Sequence, residues 1–261
     1  MNKALVLGGS AAAGVAFLLW KRQPKKAALA DAPVINSFDD LRLAWDHGKP
    51  CEVSISEDGE LRVSPTPGLD YWSRTFYTPL LIKHDAQTLL AEVGANVEAT
   101  LTTAFTLTPK AQFDQAGIMV KVDELTWVKA GIEFTDGVPR LSCVVTNDGF
   151  SDWSTQAWRH STRVPGTTSI RVRVSKLLPG AAQGPALVME ACAYRQGDKA
   201  QSDGEWTQVR IASLRSSGKP WRMGVFAISP VANEGCIVQF HHLALGPKCE
   251  PVHKADNPLD S

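Results

Sequence analysis

Residues 115–135 alternate between apolar and polar side chains with a period of two. Ile118, Val120 and Val122 alternate with Met119, Lys121 and Asp123, and Val128, Ala130, Ile132 and Phe134 alternate with Trp127, Lys129, Gly131 and Glu133. A strand sends successive side chains to opposite faces, so each run predicts a strand with one buried face. Asp136-Gly137 follows, a dipeptide that tolerates the positive φ of a tight hairpin. Residues 112–154 therefore read as a three-stranded meander. Its second face carries Lys121, Asp123, Trp127, Lys129 and Glu133, which is either a ligand surface or a solvated one.

The rest of the chain has the same character. CEVSIS and ELRVS flank the turn signal Glu57-Asp58-Gly59, and YWSRTF precedes a loop around Pro79. Thr88–Val93 and Val97–Leu107 read as a strand pair joined near Gly94-Ala95-Asn96. Further strands are expected near 153–158, 168–177, 187–195, 206–213, 221–228 and 236–245, separated by breaks such as Pro179-Gly180 and Asp203-Gly204. One short helix is expected, capped by Asn36 or Ser37, running through Asp39, Asp40 and Leu41 and ended by Gly48 and Pro50. Many short strands without amphipathic helices predict an all-β sandwich or barrel.

The stretch DQAGIMVKVDELTWVKAGIEF, with SDWS at 151–154, GLDYW at 68–72 and VVT at 144–146, resembles the regulation-of-enolase family of concanavalin A-like lectin/glucanase domains. The resemblance runs from about Leu41 to Leu245. It implies a concanavalin A-like jelly-roll sandwich of two antiparallel sheets with a ligand face on its concave side. It also implies a protein partner in carbohydrate metabolism, a glycolytic enzyme, as the alternative to a glycan.

Charge is distributed unevenly. Of 27 basic residues, five (Lys3, Lys21, Arg22, Lys25, Lys26) fall in the first 30 positions, which hold no acid. The remainder carries 22 basic against 27 acidic residues, and a mildly acidic body without a basic stripe argues against nucleic acid as a partner. Residues 4–20, ALVLGGSAAAGVAFLLW, are apolar or small throughout. As a helix they would extend roughly 25 Å, short but sufficient to cross a bilayer. Four basic residues follow the run and one precedes it, so as a signal anchor it would leave the body in the cytosol. A short span followed by basic residues resembles anchors of the mitochondrial outer membrane. The alternatives are an interfacial helix and a secreted protein cleaved after Ala28-Leu29-Ala30. Five cysteines without CxxC spacing and the lack of an Asn-x-Ser/Thr sequon favour a reducing compartment. The expected organisation is an anchor at 1–22, a basic linker at 23–36, the sandwich at 37–246 and a polar tail at 247–261.

Signatures of catalysis are missing: G-x-S-x-G, a P-loop, G-x-G-x-x-G and H-E-x-x-H are not found, and no cofactor or metal is expected. His241 and His242 are adjacent and on a strand would point to opposite faces. Glycoside hydrolysis needs two carboxyl groups about 5–10 Å apart. The nearest candidates, Asp123, Glu133, Asp152 and Glu190, come from different strands, so a divergent glycosidase is the lesser alternative. Binding is better supported. Trp127 with Lys121, Lys129 and Glu133, joined by Asp152 and Trp153, would combine an aromatic face for sugar C–H groups with charged groups for hydroxyls. The competing reading makes Trp153 a core residue and Lys129–Glu133 an ion pair.

Overall fold

The structure, a computed structural model, describes residues 31–158, 166–180, 184–195, 198, 204–216, 218–231, 233 and 235–254. The expected anchor, most of the linker and the end of the tail lie outside these residues. No helix among the described residues is long and apolar enough to cross a membrane.

The described residues form sixteen strands: β1 (Ala44–Asp46), β2 (Glu52–Ile55), β3 (Leu61–Ser64), β4 (Tyr71–Arg74), β5 (Leu81–His84), β6 (Thr88–Val93), β7 (Ala99–Thr108), β8 (Gln115–Asp123), β9 (Thr126–Thr135), β10 (Val138–Asn147), β11 (Phe150–Ala157), β12 (Thr168–Leu177), β13 (Ala186–Cys192), β14 (Thr207–Ser213), β15 (Trp221–Ile228) and β16 (Ile237–Pro247). Two seven-stranded antiparallel sheets stack as a sandwich. The first has the order β1-β6-β15-β8-β9-β10-β11, the second β14-β13-β12-β7-β16-β3-β2, and β4 with β5 forms a separate hairpin.

The meander is as expected: β8, β9 and β10 are neighbours, with Asp136 and Gly137 at positive φ in the β9–β10 turn. Its apolar set faces the second sheet. Ile118, Val120, Val128, Ala130 and Ile132 join Phe105, Leu107, Ile170, Val172, Val174 and Phe240 in one core. Burying each large aliphatic side chain is worth roughly 1.5–3 kcal/mol, so this layer is what holds the two sheets together.

Three local expectations are corrected. Residues 37–42 form turns, because Ser37 bonds the Asp39 carboxylate and Asp40 accepts from Arg42 N (3.0 Å) and Nε (2.8 Å), so short side chains compete with the helical bonds. β6 and β7 do not pair with each other. β6 joins the first sheet and β7 the second, and the Gly94–Asn96 connection crosses between layers, with Lys176 Nζ donating to Gly94 O (2.7 Å) and Ala95 O (2.8 Å). Finally, a bulge between Phe240 and His242 turns Phe240 and Leu243 both into the core and leaves the two histidines outside it. There His241 bonds Glu60 (2.7 Å), and burial pushes the His242 imidazole down to about 4.

Candidate functional site

The outer face of the first sheet, turned away from the second, is set by register. Lys121, Trp127, Thr146 and Ser151 form one cross-strand row, and Met119, Lys129, Val144 and Trp153 the next. Gly117, Gly131 and Ser142 form a third row, then Gln115, Glu133 and Arg140 a fourth. The sorting of side chains is as the alternation predicts, but this face is not open. The β4–β5 hairpin lies over it, and Tyr71, Trp72, Leu90, Met119, Trp127, Val144 and Phe226 make a second apolar cluster beneath the hairpin. The hairpin is pinned where Ser73 N donates to Ser151 Oγ (2.9 Å) and Ser73 Oγ to Gly149 O (2.7 Å).

Between hairpin and sheet lies a cavity of about 290 Å³. Trp72, Tyr77 and Trp153 supply aromatic walls, and Lys129, Glu133 and Asp70 supply charged groups. Trp72 meets Tyr77 edge-on at 5.3 Å and Trp153 edge-on at 6.3 Å between ring centroids. Lys129 Nζ bonds Asp70 Oδ1 at 3.1 Å, so its partner is Asp70 and not Glu133, as the competing reading had it. Glu133 is only 6% exposed. Its Oε2 accepts from Ser142 Oγ (2.6 Å), which in turn accepts from Trp153 Nε1 (2.9 Å). Glu133 also lines the cavity. Gly131 stands between Lys129 and Glu133 in β9.

Burial raises the Glu133 carboxyl above its usual value, against the pull of the Lys129 ammonium and the Ser142 hydroxyl. Because the folded-state value is raised, the stability from this group is present at or below pH 4.5, the ordinary value, and is lost as pH rises through the folded value. Glu133→Gln is therefore expected to flatten the fall in stability between pH 4.5 and neutrality. Urea midpoints across that range check this, and an unchanged slope would show that Glu133 ionises freely.

The other sequence candidates sit elsewhere. Trp127 is buried between Tyr71, edge-on at 5.4 Å, and the Lys129 ammonium, 5.9 Å from its ring, and it does not line the cavity. Lys121 Nζ is fully buried among Asp46 Oδ2 (2.7 Å), Glu124 Oε1 (2.7 Å) and Tyr71 OH (2.8 Å). The ligand atoms of Asp46, His47 and Glu124 lie within 4.8 Å of one another, a spacing that suits a metal ion. The Lys121 ammonium already supplies the positive charge there. Asp152 alternates with Trp153, so its carboxylate turns to Arg210 (3.1 Å) while the indole faces the cavity. Sequence reasoning missed Asp70, Tyr77 and Lys83 as lining residues; Trp72 is both a buried residue of the second apolar cluster and a wall of the cavity. The one signal available was GLDYW at 68–72, which belongs to the same family pattern as the meander.

The comparisons agree with that pattern. The family profile described as "Protein of unknown function (DUF1349)" matches residues 45–248. Regulation of enolase protein 1 of Saccharomyces cerevisiae is 37% identical over 121 residues, 44% of this chain and 55% of that protein. An uncharacterized protein of Emericella nidulans is 29% identical over 99 residues, 36% of this chain and 48% of that one. The chain thus spans about half the length of the curated relatives it matches. Among solved structures, a functionally unknown protein from Saccharomyces cerevisiae superposes with a TM-score of 0.65 at 27% identity, over 82% of this chain and 99% of that one. A bifunctional GH43-CE protein of Bacteroides eggerthii has a TM-score of 0.56 at 13% identity, over 80% of this chain and 24% of its own, which speaks to fold alone. With the profile spanning most of the sandwich and the quoted motifs falling inside it, the chain belongs to the DUF1349 family and resembles the regulation-of-enolase proteins.

Proposed function

We propose that the chain is a non-catalytic binding module, a concanavalin A-like sandwich whose pocket under the β4–β5 hairpin takes a saccharide or a similarly polar small ligand. The observation that carries this is the cavity of about 290 Å³ in which aromatic walls meet a buried carboxyl and an ammonium. Ligand pockets combine mostly apolar walls with a few convergent polar groups, and this one has that composition. Indole faces cover the C–H side of a pyranose, while Glu133 Oε1 and Lys129 Nζ reach its hydroxyls. A divergent hydrolase is the lesser reading; the second carboxyl of the pocket, Asp70, is bound through Oδ1 by Lys129 Nζ (3.1 Å) and by Tyr71 N (2.7 Å).

The test is a glycan array with the purified full-length protein, followed by calorimetry on the hits. Trp153→Ala is expected to weaken binding about tenfold, the scale of one lost aromatic contact. Lack of binding to every saccharide would overturn the reading. The second reading is a protein–protein regulator of carbohydrate metabolism. It is supported by the name of the yeast relative and by Phe76, Leu80 and Phe150, which are 90%, 67% and 61% exposed. Binding to immobilised purified enolase, abolished by Phe150→Ser and unaffected by Trp153→Ala, would favour it over the lectin.

We also propose that residues 4–20 anchor the protein in a membrane, the mitochondrial outer membrane by its basic flank, with the sandwich in the cytosol. Resistance of the full-length protein to carbonate extraction is the expected result. A mature chain beginning at Asp31 would mean secretion instead.

A further inference from the structure

Trp72, Tyr77 and Trp153 also line a second cavity, of about 550 Å³, together with Thr75, Phe76 and Asp152. The two cavities share these three aromatic side chains as a common wall. Phe76 stands at the outer end. It is 90% exposed and is held at φ 75°, a left-handed conformation that a bulky residue rarely adopts. An aromatic ring that buries almost nothing and costs backbone strain contributes little to folding, and such residues gather where a ligand is held. From Phe76 the rings continue inward: Phe76 to Tyr77 at 5.4 Å, Tyr77 to Trp72 at 5.3 Å and Trp72 to Trp153 at 6.3 Å. The row leads from solvent to the pocket that contains Glu133.

We infer that the two cavities are consecutive subsites for the end of an oligosaccharide chain. This rests on the saccharide reading of the inner pocket. The terminal sugar occupies the inner cavity, where Glu133 and Lys129 meet its hydroxyls. The next sugar lies in the outer cavity against Phe76, with Thr75 at its edge. A row of rings separated by about one pyranose length suits a linear chain of rings, and the charged groups at the inner end of the row disfavour a purely apolar ligand.

The experiment is calorimetry on the full-length protein with xylose, xylobiose and xylotriose, and with the corresponding glucose and mannose β-1,4 series. In the series that binds, the disaccharide is expected to bind about tenfold more tightly than the monosaccharide, and the trisaccharide no more than about threefold beyond that. Phe76→Ala, which removes an exposed ring and leaves the core intact, is expected to erase the disaccharide gain while monosaccharide affinity stays the same. Equal affinity for mono- and disaccharide, or a gain that survives Phe76→Ala, would overturn the second subsite and leave the inner pocket standing. No binding in any series would overturn both.

Discussion

Gly131→Ala is expected to cost about 3 kcal/mol or more and to lower the melting temperature by roughly 6–12 °C. Gly131 in β9 faces Gly117 in β8 at the centre of the first sheet. A Cβ at Gly131 would lie 2.0 Å from Ala116 O and 2.7 Å from Gly117 Cα, and a Cβ at Gly117 would lie 2.1 Å from Ala130 O. The atoms in the way are backbone, so no side chain can swing aside, and the two strands would have to part in the middle of their ladder. Neither glycine has a positive φ, so the requirement is for space and not for a special conformation. Overpacking a well-filled interior typically costs about 1–3 kcal/mol, and a clash with rigid backbone belongs at or beyond the upper end. Gly137→Ala is the control. That residue sits in the β9–β10 turn at φ 80° with nothing within 4 Å of its added Cβ, so only the left-handed penalty of about 1 kcal/mol applies. Thermal melts of both variants decide the matter. If they lost equal, small amounts, the close approach of β8 and β9 would not constrain the sheet.

The same pair of strands shows how far the sequence can be read. The alternation in β8 and β9 correctly separates the side chains that face the core from those that do not, because an aliphatic set gains far more from burial than a set of lysines and acids. What lies over the second set cannot be read from periodicity. Trp127, Lys129 and Glu133 look like an exposed face until a hairpin some 50 residues earlier in the chain is laid on it. Lys129 then pairs with Asp70, a partner 59 positions away, in place of Glu133 on its own strand. The pocket is likewise only partly legible. Glu133, Lys129 and Trp153 come from neighbouring strands whose register follows from one turn. Trp72 and Tyr77 come from the covering hairpin, whose own strands are too short to show a period. Asp152 was grouped with Trp153 by nearness in sequence, yet adjacent strand positions look to opposite sides, and its carboxylate turns to Arg210. Paired strands were misjudged at β6 and β7 because their connection resembles a turn while running from one layer to the other.

Lys121→Met should likewise lower stability by about 3 kcal/mol at neutral pH. The Lys121 side chain is fully buried, and its ammonium is the centre of a cluster containing Asp46, Glu124 and the Tyr71 hydroxyl. Methionine fills the same volume but leaves Asp46, whose side chain is only 18% exposed, facing a gap where the positive charge stood, with Arg222 (3.1 Å) and the His47 imidazole (3.8 Å) as its remaining partners. Glu124 is half exposed and can turn to water, so most of the loss comes from Asp46. Burial on its own would raise the Asp46 carboxyl, but Lys121 and Arg222 outweigh it and hold the group below the usual aspartate value. For a depressed carboxyl, the stabilisation is present above the unfolded value of 3.8 and is lost as pH falls through the lower folded value. Without Lys121, burial loses its strongest opponent, so the Asp46 contribution shrinks or reverses above pH 3.8. The gap between the two proteins should therefore be widest at pH 7 and should narrow steadily below pH 4. Urea titrations at pH 7, 4 and 3 measure it. A variant as stable as the parent at pH 7, or a gap that does not change with acid, would mean that the ammonium is not what holds Asp46 ionised, and that the cluster under the β4–β5 hairpin rests on packing alone.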